Sequence, residues 1–62
     1  MTLKDRRLAA KMTQQELADK LLVNQTAVSN WEKGINPPLP KYRKQLAKIF
    51  GCTEEEITED FK

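Results

Sequence analysis

The sequence predicts a small all-α domain, and three observations support this prediction. Threonine stands three residues before an acidic residue at Thr2, Thr13 and Thr53, which is the spacing of a helix capping box. Apolar residues after these positions recur three or four apart, as on one face of a helix. No segment of the 62 residues alternates apolar and polar side chains as a half-buried strand does. We therefore predict five helices in one compact domain over residues 1–62.

Length and charge limit what the domain can do. A chain of this size buries only about 60% of its unfolded surface, which leaves no room for a catalytic cleft beside the core. The net charge is +2, but residues 1–52 carry ten basic and four acidic residues, a difference of +6. Residues 53–62 carry five acidic residues and one basic residue, a difference of −4. Taken alone, this charge distribution is most simply explained by a solvent-exposed surface of mixed charge. The alternative is a nucleic-acid partner, which a basic body with an acidic tail would suit.

Composition argues against several classes of protein. The sequence contains no histidine and a single cysteine, so it offers neither a zinc site nor an internal disulfide. No nucleophile, base and oxyanion donors occur together, and we expect no enzymatic activity, cofactor or small-molecule ligand. The sequence shows no signal peptide and no membrane-spanning apolar run, and together with the unpaired cysteine this predicts a cytoplasmic protein.

The first helix is predicted over about Leu3 to Lys11, after the cap at Thr2. Leu3 and Ala10 are one heptad apart and are expected to face the core, followed by Met12.

Residues 13–34 form the central part of the chain. The box of Thr13 and Glu16 opens a second helix, and Asn24 is an N-cap candidate for a third. Only residues 22 and 23 separate the two, so the helices must cross steeply, as in a helix-turn-helix. Their apolar residues can close a shared core: Leu17, Ala18, Leu21, Val23, Val28 and Trp31. The outer face of the third helix is then polar and uncharged, which suits contact with base edges.

The rest of the chain predicts two more helices. Gly34 ends the third helix, and the proline-rich loop from Ile35 leads to a fourth helix at about Pro40 to Phe50, which Gly51 ends. The apolar stripe of this helix consists of Leu46, Ile49 and Phe50. The box at Thr53 and Glu56 opens the last helix, which includes Ile57 and Phe61.

The central residues resemble the helix-turn-helix of lambda-repressor-like, Cro-type regulators, the XRE family. The matching residues are T-Q-x-E-L-A at 13–18, Val23 in the turn, and Q-x-A-V-S-x-W-E-x-G at 25–34. Weaker resemblance extends from Leu3 to Ile57. It implies a transcriptional regulator, in the simplest case a Cro-like repressor, that binds a double-stranded DNA operator as a homodimer formed in solution or only on DNA. The alternative is a protein-interaction module on the same fold, antitoxin-like or a coactivator.

The resemblance also assigns roles to individual residues. It implies that Gln14 touches a phosphate and braces the first recognition residue, and that Arg7 and Glu32 form a structural ion pair. The base-reading positions are Asn24, Gln25, Thr26, Ser29 and Asn30, although an ordinary polar helix face would look the same. The phosphate contacts besides Gln14 are Lys33, Asn36, Lys41, Tyr42 and Arg43. We interpret Trp31 as core rather than a stacking platform, and Cys52 as buried filler rather than a redox switch.

Two departures from the family concern turns. Lys11 and Leu22 stand where the family usually has glycine, so the sequence predicts either left-handed strain or a slightly different turn there. For dimerisation we expect an apolar surface of Phe61, Ile57 and the loop before the fourth helix.

Overall fold

The structure, a computed structural model, describes residues 1–61 and consists of five helices. They are α1 (Leu3–Ala9), α2 (Gln14–Leu21), α3 (Gln25–Lys33), α4 (Pro40–Phe50) and α5 (Glu54–Glu59). No strand occurs within residues 1–61, and the predicted all-α fold is confirmed. None of the helices in this range has the length and apolar character needed to cross a membrane.

The helices begin at the residues that the sequence indicates. Thr2, Thr13 and Thr53 each accept a hydrogen bond from the backbone N–H three residues on, and the acidic residue there accepts one in return. Asn24 caps α3 through a bond from the Ala27 N–H at 3.0 Å. Pro40 occupies the first turn of α4, where its missing N–H leaves no bond unmade.

Four helices are followed by a residue with positive φ. Gly34 and Gly51 have φ of 76° and 66° and close α3 and α4 without a steric penalty. Lys11 and Leu22 both have φ of 57°, so of the two predicted alternatives the structure has left-handed strain at both turns. The turn of the helix-turn-helix is thus left-handed at Leu22, a conformation that glycine adopts more readily than an L residue does.

The core lies between two pairs of packed helices, α2 against α3 and α4 against α5. Each of the five helices contributes a fully buried side chain to this core: Leu3, Leu17, Val28, Leu46 and Ile57. Trp31 is buried, as predicted. The buried apolar set is Leu3, Leu17, Ala18, Leu21, Val28, Trp31, Leu46, Ala47 and Ile57, with Val23, Ile49, Phe50 and Phe61 packed partly against it.

Three predictions near the chain ends were wrong. The first helix ends at Ala9, not Lys11, because the Met12 N–H turns back to the Arg7 carbonyl at 3.1 Å. Ala10 is consequently exposed and does not face the core. The last helix ends at Glu59, before Phe61.

Candidate nucleic-acid interface

The outer surface of the helix-turn-helix is a polar depression formed by the start of α2 and one face of α3. Four of the five predicted base-reading residues lie on it, with two of the predicted phosphate residues. It encloses about 310 Å³ and is lined by Gln14, Gln25, Thr26, Ser29, Asn30 and Lys33. Gln25 and Thr26 are exposed, whereas Ser29 and Asn30 are half-buried. The fold therefore brings most of the predicted recognition residues onto one surface.

Asn24 lies at the edge of this surface with a structural role. Its side-chain oxygen accepts the hydrogen bond that caps α3. Any base contact must coexist with that bond, so base contact by Asn24 stays a prediction.

The predicted ion pair between Arg7 and Glu32 is present and buried. Arg7 Nε donates to Glu32 Oε2 at 2.7 Å, and Arg7 Nη2 donates to Glu32 Oε1 at 3.2 Å. A third bond runs from Arg7 Nη1 to the Met12 carbonyl at 2.8 Å. Burial raises the pKa of Glu32, but the hydrogen bonds from Arg7 and Gln14 outweigh this effect and hold the pKa below its ordinary value. The pair joins α1 to the end of α3 and remains ionised at neutral pH.

Gln14 connects this pair to the recognition helix. Its Nε2 donates to Glu32 Oε1 at 3.1 Å, and its Oε1 accepts from Gln25 Nε2 at 3.2 Å. The bracing of Gln25 that the resemblance implied is therefore seen directly, while the phosphate contact of Gln14 stays a prediction. No sequence pattern predicted the bond from Gln14 to Glu32.

The other predicted phosphate residues differ in their surroundings. Lys33, Asn36 and Lys41 are exposed and available to a ligand. Tyr42 is half-buried, its ring centroid lies 5.5 Å from that of Trp31, and the Lys41 ammonium lies 4.9 Å from the Tyr42 centroid. The last turn of α3 and the first turn of α4 thus each present an exposed cation, Lys33 and Lys41.

Arg43 is directed toward α5. Its Nη1 donates to Thr58 Oγ1 at 3.3 Å, and its buried Nε has no hydrogen-bond partner within residues 1–61. A phosphate contact would require at least part of the guanidinium to leave this contact with α5. The contact stays a prediction, with Lys41 better placed for the same role.

A second ion pair, outside the depression, connects the two ends of the chain. Arg6 Nε donates to Asp60 Oδ2 at 2.7 Å, which ties α1 to the residue following α5. No sequence pattern links residues 54 positions apart.

Cys52 is half-buried near this ion pair, and burial raises the pKa of its thiol, which agrees with a packing role. Within residues 1–61, no group of His, Cys, Asp and Glu side chains is suited to a metal ion.

Two short helices joined by a left-handed turn, with a polar outer face on the second, define the helix-turn-helix class. The helix-turn-helix family matches residues 3–57, and the chain belongs to this family. It is 37% identical over 51 residues to the HTH-type transcriptional activator BcrR of Enterococcus faecalis. That match covers 82% of this chain and 25% of the relative, so the chain spans about a quarter of the relative's length. No solved structure matches significantly.

Proposed function

We propose that the domain binds double-stranded DNA with α3 in the major groove and thereby regulates transcription. The observation that carries this proposal is the polar depression, which gathers uncharged hydrogen-bonding side chains from α2 and α3 on one surface. An α-helix with its side chains is about 10–12 Å in diameter, and the major groove is about 12 Å wide and admits one. Family membership and the name of the enterococcal relative support the same function.

Recognition of sequence is assigned to the first two turns of α3. Gln25 and Thr26 are exposed at its N-terminal end, the part of a recognition helix that contacts base edges. A glutamine amide can pair with two atoms of adenine, and a threonine methyl group can contact the thymine methyl group. Ser29, Asn30 and the capping Asn24 complete the proposed set.

Affinity is assigned to the residues around that face. Gln14 and Lys33 line the depression, and Asn36 and Lys41 are exposed in the loop and in the first turn of α4. We place the DNA backbone along these residues. Contacts to phosphate fix the register of the protein and make binding salt-dependent, but they carry little sequence information. Lys41 is the cation that we place against a phosphate most directly.

Two copies on a pseudo-palindromic site form part of the proposal. The domain measures 24 × 23 × 19 Å, so two copies fit on successive major grooves about 34 Å apart. Ile35 and Leu39 are each 60% exposed in the loop before α4, and Phe61 is half-buried. Ile57 is fully buried, and its predicted place in the dimer surface was wrong. Sedimentation of the parent and of Leu39→Glu, each with the selected duplex, measures how many copies bind one DNA site. One copy of the parent on a site without symmetry would contradict the proposed dimer.

Repression by covering a promoter is the mode of action that we propose. DNA binding alone is sufficient for it, whereas activation also requires a productive contact with the transcription machinery. A reporter gene with the selected site placed over or upstream of its promoter decides between them. A rise in expression at every placement would contradict repression and match the activity in the relative's name.

The decisive experiment begins with selection of bound sequences from random duplex DNA. Gln25→Ala is expected to weaken binding to the preferred site by about 1–3 kcal/mol and to relax preference at one base pair per half-site. Because no charge is lost, the dependence of affinity on salt should stay almost unchanged.

A matched pair of lysines on α4 tests the backbone contacts. Lys41 and Lys48 are both exposed, at opposite ends of the helix. Lys41→Ala should weaken all sequences alike and reduce the salt slope by about 0.9 per subunit, while Lys48→Ala should leave the slope unchanged. Equal effects of the two lysines would place the DNA elsewhere. Failure of the parent protein to bind any duplex would favour a protein-interaction module.

A further inference from the structure

Four side chains form a continuous hydrogen-bonded series from α1 to the recognition surface. It runs from Arg7 through Glu32 and Gln14 to Gln25, with donor–acceptor distances between 2.7 and 3.2 Å. Arg7 is buried, Glu32 and Gln14 are half-buried, and Gln25 is exposed. The buried end of the series is charged, and the exposed end is the residue to which we assign base recognition.

The chemistry of the buried end determines the orientation of both amides. An ionised carboxylate only accepts hydrogen bonds, so Gln14 must direct its NH₂ group toward Glu32. The oxygen of Gln14 then faces Gln25, which must direct one N–H toward it. Gln25 is left with its carbonyl oxygen and its second N–H for an outside partner. The lowered pKa of Glu32 keeps this arrangement in place at neutral pH.

The free acceptor and donor of the Gln25 amide together complement the major-groove edge of only one of the two purines. In the major groove adenine presents the N6 amino group as a donor and N7 as an acceptor, whereas guanine presents two acceptors, O6 and N7. We propose that Glu32 is a positioning residue that acts through Gln14 to orient the Gln25 amide for adenine and against guanine. This inference rests on the proposed function, since it concerns how the same surface discriminates between bases.

A single substitution should reverse the orientation. In Glu32→Gln the shortest contact, from Arg7 Nε at 2.7 Å, still requires an oxygen. The new NH₂ group therefore takes the place of Oε1, where it faces Gln14 and gives up the longer bond from Arg7 Nη2 at 3.2 Å. Gln14 then accepts from it and donates to the Gln25 oxygen. Both N–H groups of Gln25 become available to an outside partner, which suits the two acceptors of guanine.

The test compares adenine and guanine at one base pair of the duplex selected by the parent protein. Gln25→Ala first locates that pair as the position where preference is lost. The parent should prefer adenine there by about 5- to 150-fold, and Glu32→Gln should lower this ratio by about 5-fold or more. Circular dichroism confirms that each variant is folded at the temperature of the measurement.

Gln14→Met provides a second variant that keeps the ion pair of Arg7 and Glu32. It preserves the length of the side chain but removes both hydrogen bonds, so Gln25 loses its fixed orientation. The adenine-to-guanine ratio should fall by about 2- to 12-fold, the range expected for one side chain that is no longer held in place. In a Gln25→Ala background Gln14→Met should leave the ratio unchanged. If Glu32→Gln does not fold, an unchanged ratio in Gln14→Met still overturns the inference, because Glu32 reaches Gln25 only through Gln14.

The outcomes separate this inference from the function on which it rests. Specific binding with an unchanged base ratio in either folded variant, Glu32→Gln or Gln14→Met, would overturn the inference alone, as would guanine selected opposite Gln25. A uniform loss of affinity for both duplexes, with the ratio preserved, would also overturn it and leave Glu32 a structural role. No sequence-specific binding by the parent would overturn the proposed function itself, and the inference with it.

Discussion

Leu22 ends α2 in the left-handed region, and its replacement by glycine tests whether the turn of the helix-turn-helix stores strain. Leu22 has φ of 57° and ψ of 43°, where the Cβ of an L residue approaches the following carbonyl oxygen. Glycine has no Cβ and adopts this conformation freely. We therefore expect Leu22→Gly to increase the free energy of unfolding.

The size of the effect follows from three quantities. The left-handed conformation costs leucine about 1–2 kcal/mol. Glycine loses about 0.4–1 kcal/mol of this gain through its greater freedom in the unfolded chain. Leu22 is 92% exposed, so its removal sacrifices almost no apolar burial. The midpoints of these ranges give a net gain of about 0.8 kcal/mol, which for a domain of this size raises Tm by roughly 3–6 °C.

Thermal unfolding of three variants followed by circular dichroism measures the effect and its cause. Leu22→Ala keeps the Cβ and the strain, so its stability should stay within about 0.5 kcal/mol of the parent. Lys11→Gly removes the same strain at an exposed residue with the same φ and should also raise Tm. A lower Tm for Leu22→Gly would refute the reasoning. An equal rise for Leu22→Ala would mean that loss of the exposed leucine, not relief of backbone strain, is responsible.

The other predictions concern the buried groups. Arg7→Met should reduce the free energy of unfolding in urea by about 3 kcal/mol, because Glu32 remains buried without its ionic partner; a loss below about 1 kcal/mol would contradict this. The lowered pKa of Glu32 stabilises the fold above its unfolded pKa of about 4.3, and this contribution is lost as pH falls through the folded value. The free energy of unfolding should therefore decline from about pH 5 to pH 3, and it should decline less steeply in Glu32→Gln. An equal decline in the two proteins would exclude Glu32 as the cause. Asp5, whose pKa is lowered by the hydrogen bond from the Thr2 backbone, should contribute to the decline in both proteins. Cys52 should react with a thiol reagent much more slowly in the native protein than in urea, because burial raises its pKa; equal rates would show an accessible thiol.

Features that depend on neighbouring residues were predictable from the sequence. The three capping boxes, Pro40 at the start of α4 and Gly34 after α3 each follow from side chains within three or four positions. The left-handed turns and the pair of Arg7 with Glu32 required the resemblance as well. Nothing within α1 identifies a partner 25 residues away.

The errors and omissions arise where local patterns end. Ala10 was assigned to the core by extending the α1 heptad beyond Ala9, where the helix stops. Ile57 was placed on the dimer surface because an apolar stripe does not show which neighbour covers it. The bond from Gln14 to Glu32 joins the ends of two helices, so it depends on their crossing angle. The assignment of bases and phosphates to residues stays a prediction, since the fold shows only which side chains share a surface.

The lengths of the helices have a consequence for how the DNA-contacting surface is made. The helices contain between 6 and 11 residues, and α3 has nine. Isolated helices below about 12–15 residues are marginal in water, so α3 is helical only while the other four hold it. A peptide of residues 24–34 should be a random coil and should not compete for the operator. Degradation of the unfolded chain would therefore remove recognition completely, and no fragment would remain to occupy the site.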